Sequence, residues 1–420
     1  MAKYLPRVID NILEEYLEAF GAVLIRGPKW CGKTTTAEQK ANSVLRMQDP
    51  NNFRAYLDMA NFMPSRLLEG DTPRLIDEWQ MAPVLWDAVR SAVDERQRVG
   101  QFILTGSTVI NHDQILHSGT GRIAKIDMGP MSLFESNESN GTVSLSSLFS
   151  KQDFAGAKSD LSVESLAFAI CRGGWPASIG LSEKASLLVP RSYVEAICSD
   201  DARGTDPSIS DPDRVRAILR SYARNLSTLA SNRSILKDIT ANDLTMDEST
   251  LYRYLTAIKS LFVIQDTPAW NPTIRSSTTM RSTAKKGFVD PSIAVAALAL
   301  TPSQLLDDLQ TLGFFFESLC IRDLKIYAAM QGGEISYYRD RYGLECDIVL
   351  HLNNGSYGLI EAKLGSLEIN EASEHLLQLK NLIAKNKLRP PNFLMVLTAG
   401  QYAYKRTDDV LVVPIGCLKP

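Results

Sequence analysis

Between Gly21 and Thr34 the chain runs from an apolar stretch, Ala22-Val23-Leu24-Ile25, straight into Gly27-Pro28-Lys29-Trp30-Cys31-Gly32-Lys33-Thr34. A short continuous apolar run closed by glycine is the pattern of a buried strand. Thr35, Thr36, Ala37, Glu38 and Gln39 then suit a first helical turn. Upstream, apolar residues at 9, 12, 16, 17 and 20 recur with a helical period that stops at Gly21. Downstream, residues 53–58 alternate like a strand. Leu75-Ile76 leads into Asp77-Glu78 after the turn-prone Gly70-Asp71-Thr72-Pro73. Residues 79–93 read as a helix, 101–107 as another buried strand, 111–119 as one short helix and 123–126 as a further strand. The alternation of strand and helix signals predicts an α/β fold for this part.

The second half carries different periods. Residues 136–165, rich in Ser, Asn and Gly, read as an exposed excursion. A helix over 161–171 precedes Gly173-Gly174-Trp175-Pro176. Over 213–230, Val215, Ile218, Leu219, Tyr222 and Leu226 share one helical face. Asp247 suits the N-cap of a next helix that buries Leu251, Tyr254, Leu255, Ile258 and Leu261 and exposes Ser249, Arg253, Thr256 and Lys259. Residues 261–264 and 267–270 are expected to form the two strands of a wing. Residues 311–328, with Phe314-Phe315-Phe316-Glu317, predict a largely buried helix. Tyr337-Tyr338 opens a strand. Residues 345–350 and 357–364, joined by the turn Asn353-Asn354-Gly355, predict a hairpin, followed by a helix over 371–385 that carries Gln378.

Composition changes this picture little. At 45% apolar and 22% charged residues, the 420-residue chain has ample core for two or three domains. Its six cysteines are scattered, with no CxxC pair and no His at zinc spacing, which points to reduced thiols and a cytoplasmic setting. No secretory signal is visible at the N-terminus, and no apolar run approaches a membrane span. The net charge of −3 is unevenly spread: between Arg203 and Lys286 thirteen basic residues face eight acidic ones, a local +5 that leaves −8 for the rest. That asymmetry suggests an anionic partner, with Arg253 and Lys259 as candidate DNA contacts.

Two constellations carry chemistry. The first is the glycine loop. Gly27 and Gly32 let the backbone turn its N–H groups inward around phosphate, and the following helix adds its positive end. Pro28, Lys29, Trp30, Cys31 and Thr35 complete the cradle, Lys33 reaches the β- and γ-phosphates, and the Thr34 hydroxyl ligates Mg²⁺. Asp77 at its strand end can hold that Mg²⁺ through water, and Glu78 can polarise the attacking water. The second is Asp347 with Glu361-Ala362-Lys363. In a strand, 361 and 363 point to one face while 360, 362 and 364 point to the other. The paired strand supplies Asp347, so that Asp347 and Glu361 can hold Mg²⁺ while Lys363 orients a water. A structural salt bridge in an inactive fold is the alternative. Glu317 is a candidate added ligand and Gln378 a candidate helper.

Taken in order, Tyr4-Leu5-Pro6-Arg7, Gly27-Pro28 with Gly32-Lys33-Thr34, Leu75-Ile76-Asp77-Glu78, Leu104-Thr105-Gly106-Ser107, Gly121-Arg122, Met131-Ser132-Leu133-Phe134-Glu135 and Gly173-Gly174-Trp175-Pro176 resemble the bacterial and archaeal AAA-type ATPases with a C-terminal nuclease-like domain of undefined function. The family has Arg where this chain has Lys29, and a small or polar pair where it has Trp30-Cys31. The resemblance implies a P-loop AAA-type ATPase domain over 1–195, a winged helix over 196–290 and a restriction-endonuclease-like α/β domain over 291–420. It implies ATP and Mg²⁺ as cofactors, Thr105 or Ser107 as the γ-phosphate sensor, and Arg122 as a finger acting on a neighbouring subunit, hence a homo-oligomer. It leaves two functions open. ATP hydrolysis drives a DNA-processing C-terminal half, or ATP switches a regulatory protein whose nuclease fold is inert.

Overall fold

The computed structural model describes residues 4–107, 117–150, 156–206, 209, 211–241, 245–271 and 283–420. These form two compact units. One runs to Pro130 and includes Ser260–Phe262; the other holds Met131–Lys259 and Val263–Pro420.

In the first unit, β1 (Ala22–Arg26), β2 (Ser43–Arg46), β3 (Arg74–Asp77), β4 (Phe102–Gly106) and β5 (Ile123–Asp127) make a parallel sheet in the order β2-β3-β4-β1-β5. The strands are apolar because both faces are covered. Val23 and Ile25 join Ile9, Leu13, Leu75 and Ile103, whereas Ala22 and Leu24 face Trp79, Leu85, Trp86 and Val89. Each large apolar side chain buried this way contributes roughly 1.5–3 kcal/mol, which fixes register and direction. All five strands therefore end at one edge, where the Gly27 loop, Asp77 and Ser107 emerge.

Residues 53–58, expected as a strand, lie in the helix Phe53–Phe62. The longer window explains it: Phe53, Tyr56, Leu57 and Ala60 follow helical spacing, and Tyr56, Leu57 and Ala60 meet the core. The strand of this region is β2. The helix expected over 79–93 is broken at Ala82-Pro83 into a 3₁₀ turn, Trp79–Met81, and the helix Val84–Arg96. The helix expected over 111–119 falls largely outside the described residues.

The second unit is built on a mixed seven-stranded sheet. Its strands are β7 (Ala157–Lys158), β8 (Gly333–Arg339), β9 (Glu345–Leu352), β10 (Tyr357–Lys363), β11 (Phe393–Thr398), β12 (Tyr402–Lys405) and β13 (Leu411–Pro414), in the order β7-β12-β13-β11-β10-β9-β8. The expected hairpin is β9–β10. The helix Ile369–Lys385 makes the crossover that the parallel β10–β11 pair requires, burying Ile369, Ala372, Leu376, Leu379 and Ile383. The largely buried helix Leu309–Ala329 contributes Glu317.

The Ser/Asn/Gly-rich excursion is built into this unit. β6 (Val143–Ser144) pairs with β14 (Leu418–Lys419), β7 pairs with β12, and Val143, Leu145 and Leu148 are buried. Its polar residues serve as ties: Ser139 Oγ donates to Leu418 O at 2.6 Å. The Gly173-Gly174-Trp175 turn is equally structural. Gly174 N–H donates to Asp290 Oδ2 and Trp175 Nε1 to Ser292 Oγ. Asp290 also pairs with Arg322 at 2.9 Å, which pairs in turn with Asp323, all buried.

Helices Pro212–Arg224, Asn232–Thr240 and Glu248–Ser260 precede the segment expected as a wing. The expected strands 261–264 and 267–270 do not pair with each other. Ile264 pairs with Phe288 and Thr267 with Lys285, both antiparallel, and Ala269 pairs with Tyr337 of β8. Both segments thus lie on one arm, and the returning arm delivers Lys285 toward β9.

Candidate functional site

The glycine loop adopts backbone only part of which an ordinary residue tolerates. Gly27 has φ +155° and a side chain there would meet Met128 O at 2.0 Å; Gly32 has φ +101°. Helix Lys33–Glu38 starts at once. Lys33 is buried, and its Nζ donates to Gly27 O at 3.0 Å and Pro28 O at 2.8 Å. An ammonium held by loop carbonyls can exchange them for phosphate oxygens. Lys29 and Trp30 are exposed on the loop, as is Thr35 in the first helical turn. Cys31 is fully buried, so its place is in the loop's underside.

Across from the loop, Asp77 Oδ1 accepts from Thr34 Oγ1 and from Thr105 Oγ1, both at 2.6 Å. Thr105 also accepts from the Glu78 N–H at 3.3 Å. Of the two sensor candidates, Thr105 therefore touches Asp77, while Ser107 donates to Glu78 Oε2 at 3.3 Å. Gln80 Nε2 donates to the same oxygen. Glu78 sits in the left-handed region at φ 56°, a conformation costly for a non-glycine residue and common at functional sites. Hydroxyl and carboxylate oxygens on Thr34 and Asp77 are the hard donors that suit Mg²⁺.

Arg122 lies apart from this edge. It precedes β5, and Ile123 is in register with Ala22 at the opposite end of β1 from the loop. Its Nε pairs with Asp94 Oδ1 at 2.8 Å. It cannot serve its own chain's loop. Sequence reasoning gave no role to Arg7, whose buried guanidinium donates to Cys31 O at 2.8 Å and Gly129 O at 2.9 Å and so anchors the loop. The Tyr4–Arg7 motif was the signal, without a mechanism attached.

In the second unit, Asp347, Glu361 and Lys363 do come together. Lys363 Nζ lies 2.9 Å from Glu361 Oε2 and 3.3 Å from Asp347 Oδ2, which also accepts from Ala362 N–H at 3.1 Å. Glu317 is there too, but Lys285 Nζ stands between the acids, 2.5 Å from Glu317 Oε1 and 3.5 Å from Asp347 Oδ1. Burial raises Glu361's carboxyl well above its usual range, and the charge of Asp347 raises it further. Burial also works to raise Asp347, but the Lys285 and Lys363 ammoniums outweigh it and hold that group low. Burial lifts Glu317 to about 7 despite Lys285. A divalent cation does not fit these residues as they stand, because an ammonium already bridges two of the acids. Among the described residues no three His, Cys, Asp or Glu side chains form a metal-holding group. Asp347 and Glu361, expected to hold a metal, meet lysine ammoniums here instead. Lys285 arrives from the distant arm that pairs with Thr267, which no local pattern around Asp347 or Glu361 signals. Gln378 lies elsewhere, lining a separate cavity with Asp340, Tyr342 and His375.

The exposed helix face expected to meet DNA is present, with Ser249, Arg253, Thr256 and Lys259 all exposed. Lys259, however, pairs with Asp266 at 2.9 Å, and Arg214, Arg216, Arg224, Lys285 and Lys286 are also ion-paired within the chain. Much of the local positive charge is thus already used. No helix among the described residues is long and apolar enough to cross a membrane.

Comparison with known families divides the chain in three. Residues 19–137 match an AAA domain, 163–304 a domain of unknown function (DUF8612) and 312–418 another (DUF4143). The first part has the α/β P-loop fold of an AAA-type ATPase domain. No curated protein sequence matches the chain. Among solved structures, a Walker-type ATPase of Pyrococcus abyssi is similar at 14% identity and a TM-score of 0.42, over 69% of this chain and 94% of that one. RuvB of Thermotoga maritima is similar at 15% identity and 0.28, over 62% and 89%.

Proposed function

We propose that this chain binds ATP in the loop of residues 27–34 and hydrolyses it with Mg²⁺. The observation that carries the reading is the convergence of Thr34 and Thr105 on one carboxylate oxygen of Asp77, directly after a phosphate loop with a buried lysine. Mg²⁺, when bound, neutralises charge on the phosphate oxygens. Lys33 holds the β- and γ-phosphates, Thr34 and Asp77 hold the cation, and Thr105 fixes Asp77 relative to the Glu78 backbone. Glu78 orients the attacking water, and Ser107 and Gln80 set the direction of its carboxylate. Arg122, too far from its own loop, acts on the nucleotide of a second copy after leaving Asp94. Lys33→Ala tests the reading: ATP binding should be lost, and unchanged affinity in a folded variant sinks it.

The second unit reads as a winged helix followed by a restriction-endonuclease-like core. Three helices followed by an antiparallel arm support the first. The β9–β10 hairpin that joins Asp347, Glu361 and Lys363 supports the second. Its role is to dock an anionic partner such as DNA through the Arg253 face, under control of nucleotide state. Salt-dependent DNA affinity that falls in Arg253→Ala supports this; affinity equal in the two chains refutes it.

A further inference from the structure

The acids of the second unit are already compensated. Glu317 and Asp347 line a cavity of about 840 Å³ together with Lys285 and Lys363. Lys285 Nζ reaches Glu317 Oε1, Asp347 Oδ1 and, at 3.4 Å, Asp347 O, and it lies 5.6 Å from the Tyr337 ring centre. This buried ammonium therefore meets three oxygens and an aromatic face. Lys363 covers the other oxygen of Asp347 and one oxygen of Glu361. The remaining Glu361 Oε1 is buried and accepts no hydrogen bond. Two lysine ammoniums thus lie among the three acids.

A divalent ion entering such a cluster must expel the ammonium that bridges Glu317 and Asp347. The expelled lysine would be left in a buried position without its partners, which is strongly unfavourable. The lysine is also held from behind. Its backbone exchanges both hydrogen bonds with Thr267, at 2.9 Å each. That arm is tied to β8 through Trp270 N–H to Tyr337 O at 2.6 Å.

We infer that Lys285 is the resident cation of this cluster, and that it excludes divalent metal and with it metal-dependent strand cleavage. The inference rests on the nuclease-like reading of the second unit only for the comparison with cation-bridged acids. Its test uses no nucleic acid, so the two fail separately. Mn²⁺ uptake is followed by loss of the free-ion electron paramagnetic resonance signal, on the full chain without nucleotide. Every arm carries Asp77→Asn to silence the first unit. With Lys285 in place, no saturable Mn²⁺ site should appear through the millimolar range. Lys285→Gln should gain one equivalent, bound at least about tenfold more tightly than anything in the parent. Adding Glu361→Gln to that variant should weaken the new site, and Lys285→Arg should keep metal out. A saturable site in the parent that Asp347→Asn removes overturns the inference, as does a folded Lys285→Gln chain that takes up no Mn²⁺. Where Lys285→Gln loses its circular dichroism, the parent titration decides alone.

Discussion

Arg7→Met removes the anchor of the phosphate loop without replacing any residue of the loop itself. The buried guanidinium donates to Cys31 O at 2.8 Å and to Gly129 O at 2.9 Å. Hydrogen bonds to a charged group contribute roughly 1.5–3 kcal/mol each. Water entering the vacated space recovers part of this, so the net cost is about 3 kcal/mol, carried mainly by the loop. At about 1.4 kcal/mol per factor of ten, the loop should open roughly a hundredfold more often. Cys31 reports on this directly, because its side chain is fully buried and its own carbonyl is the anchored group. Thiol labelling resolved by mass spectrometry should show Cys31 reacting roughly a hundredfold faster. The other five buried cysteines serve as internal references. ATP affinity should fall at least about tenfold. Cys31 labelling within about threefold of the parent, with unchanged ATP affinity, would refute the anchoring argument.

Three further outcomes follow from the geometry. Thr105→Val leaves the Glu78 N–H without its acceptor and frees one side of Asp77, so turnover should drop about tenfold while ATP affinity holds, and Thr105→Ser should restore it; a fall in affinity alone argues against this. Arg322→Met leaves Asp290 and Asp323 buried without their cation, which should cost about 3–5 kcal/mol in urea unfolding of the second unit, and a loss under about 1 kcal/mol is inconsistent with it. Burial raises Glu317 from 4.5 to about 7. The folded chain therefore holds this proton more tightly, and the group's stabilising contribution is full below pH 4.5 and lost as pH rises through about 7. Glu317→Gln should remove on the order of 3 kcal/mol of that pH-dependent change, and parallel stability curves for the two chains would contradict it.

The parallel sheet was legible where chemistry and hydrophobic pattern coincide. β1, β3 and β4 are short apolar runs that end in Gly27, Asp77 and Ser107, residues that need no partner from elsewhere to be noticed. β2 was not, since Ser43-Val44-Leu45-Arg46 is too short and too polar at its ends to stand out. The neighbouring 53–58 alternation imitates a strand only in a narrow window. The hairpin β9–β10 was announced by its Asn-Gly turn and by the spacing of Glu361 and Lys363. The contribution of Lys285 could not be read this way, because it comes from a distant arm and its meaning depends on what it faces. The same holds for Gly173-Gly174-Trp175, whose partners Asp290 and Ser292 lie more than a hundred residues on. Ser-rich segments mislead for a related reason. Hydroxyls that suit an exposed loop serve as well to satisfy the backbone of a terminal strand.

The claim that this chain is an ATPase is tested most directly by steady-state ATP turnover against Mg²⁺ for the native protein and Glu78→Gln, with ATP binding measured on both. The native chain should turn over only with Mg²⁺. Glu78→Gln should bind ATP within about threefold of native yet hydrolyse it at least about a hundredfold more slowly. Equal turnover in the two chains, or none in the native chain when it is saturated with ATP and Mg²⁺, would contradict the account.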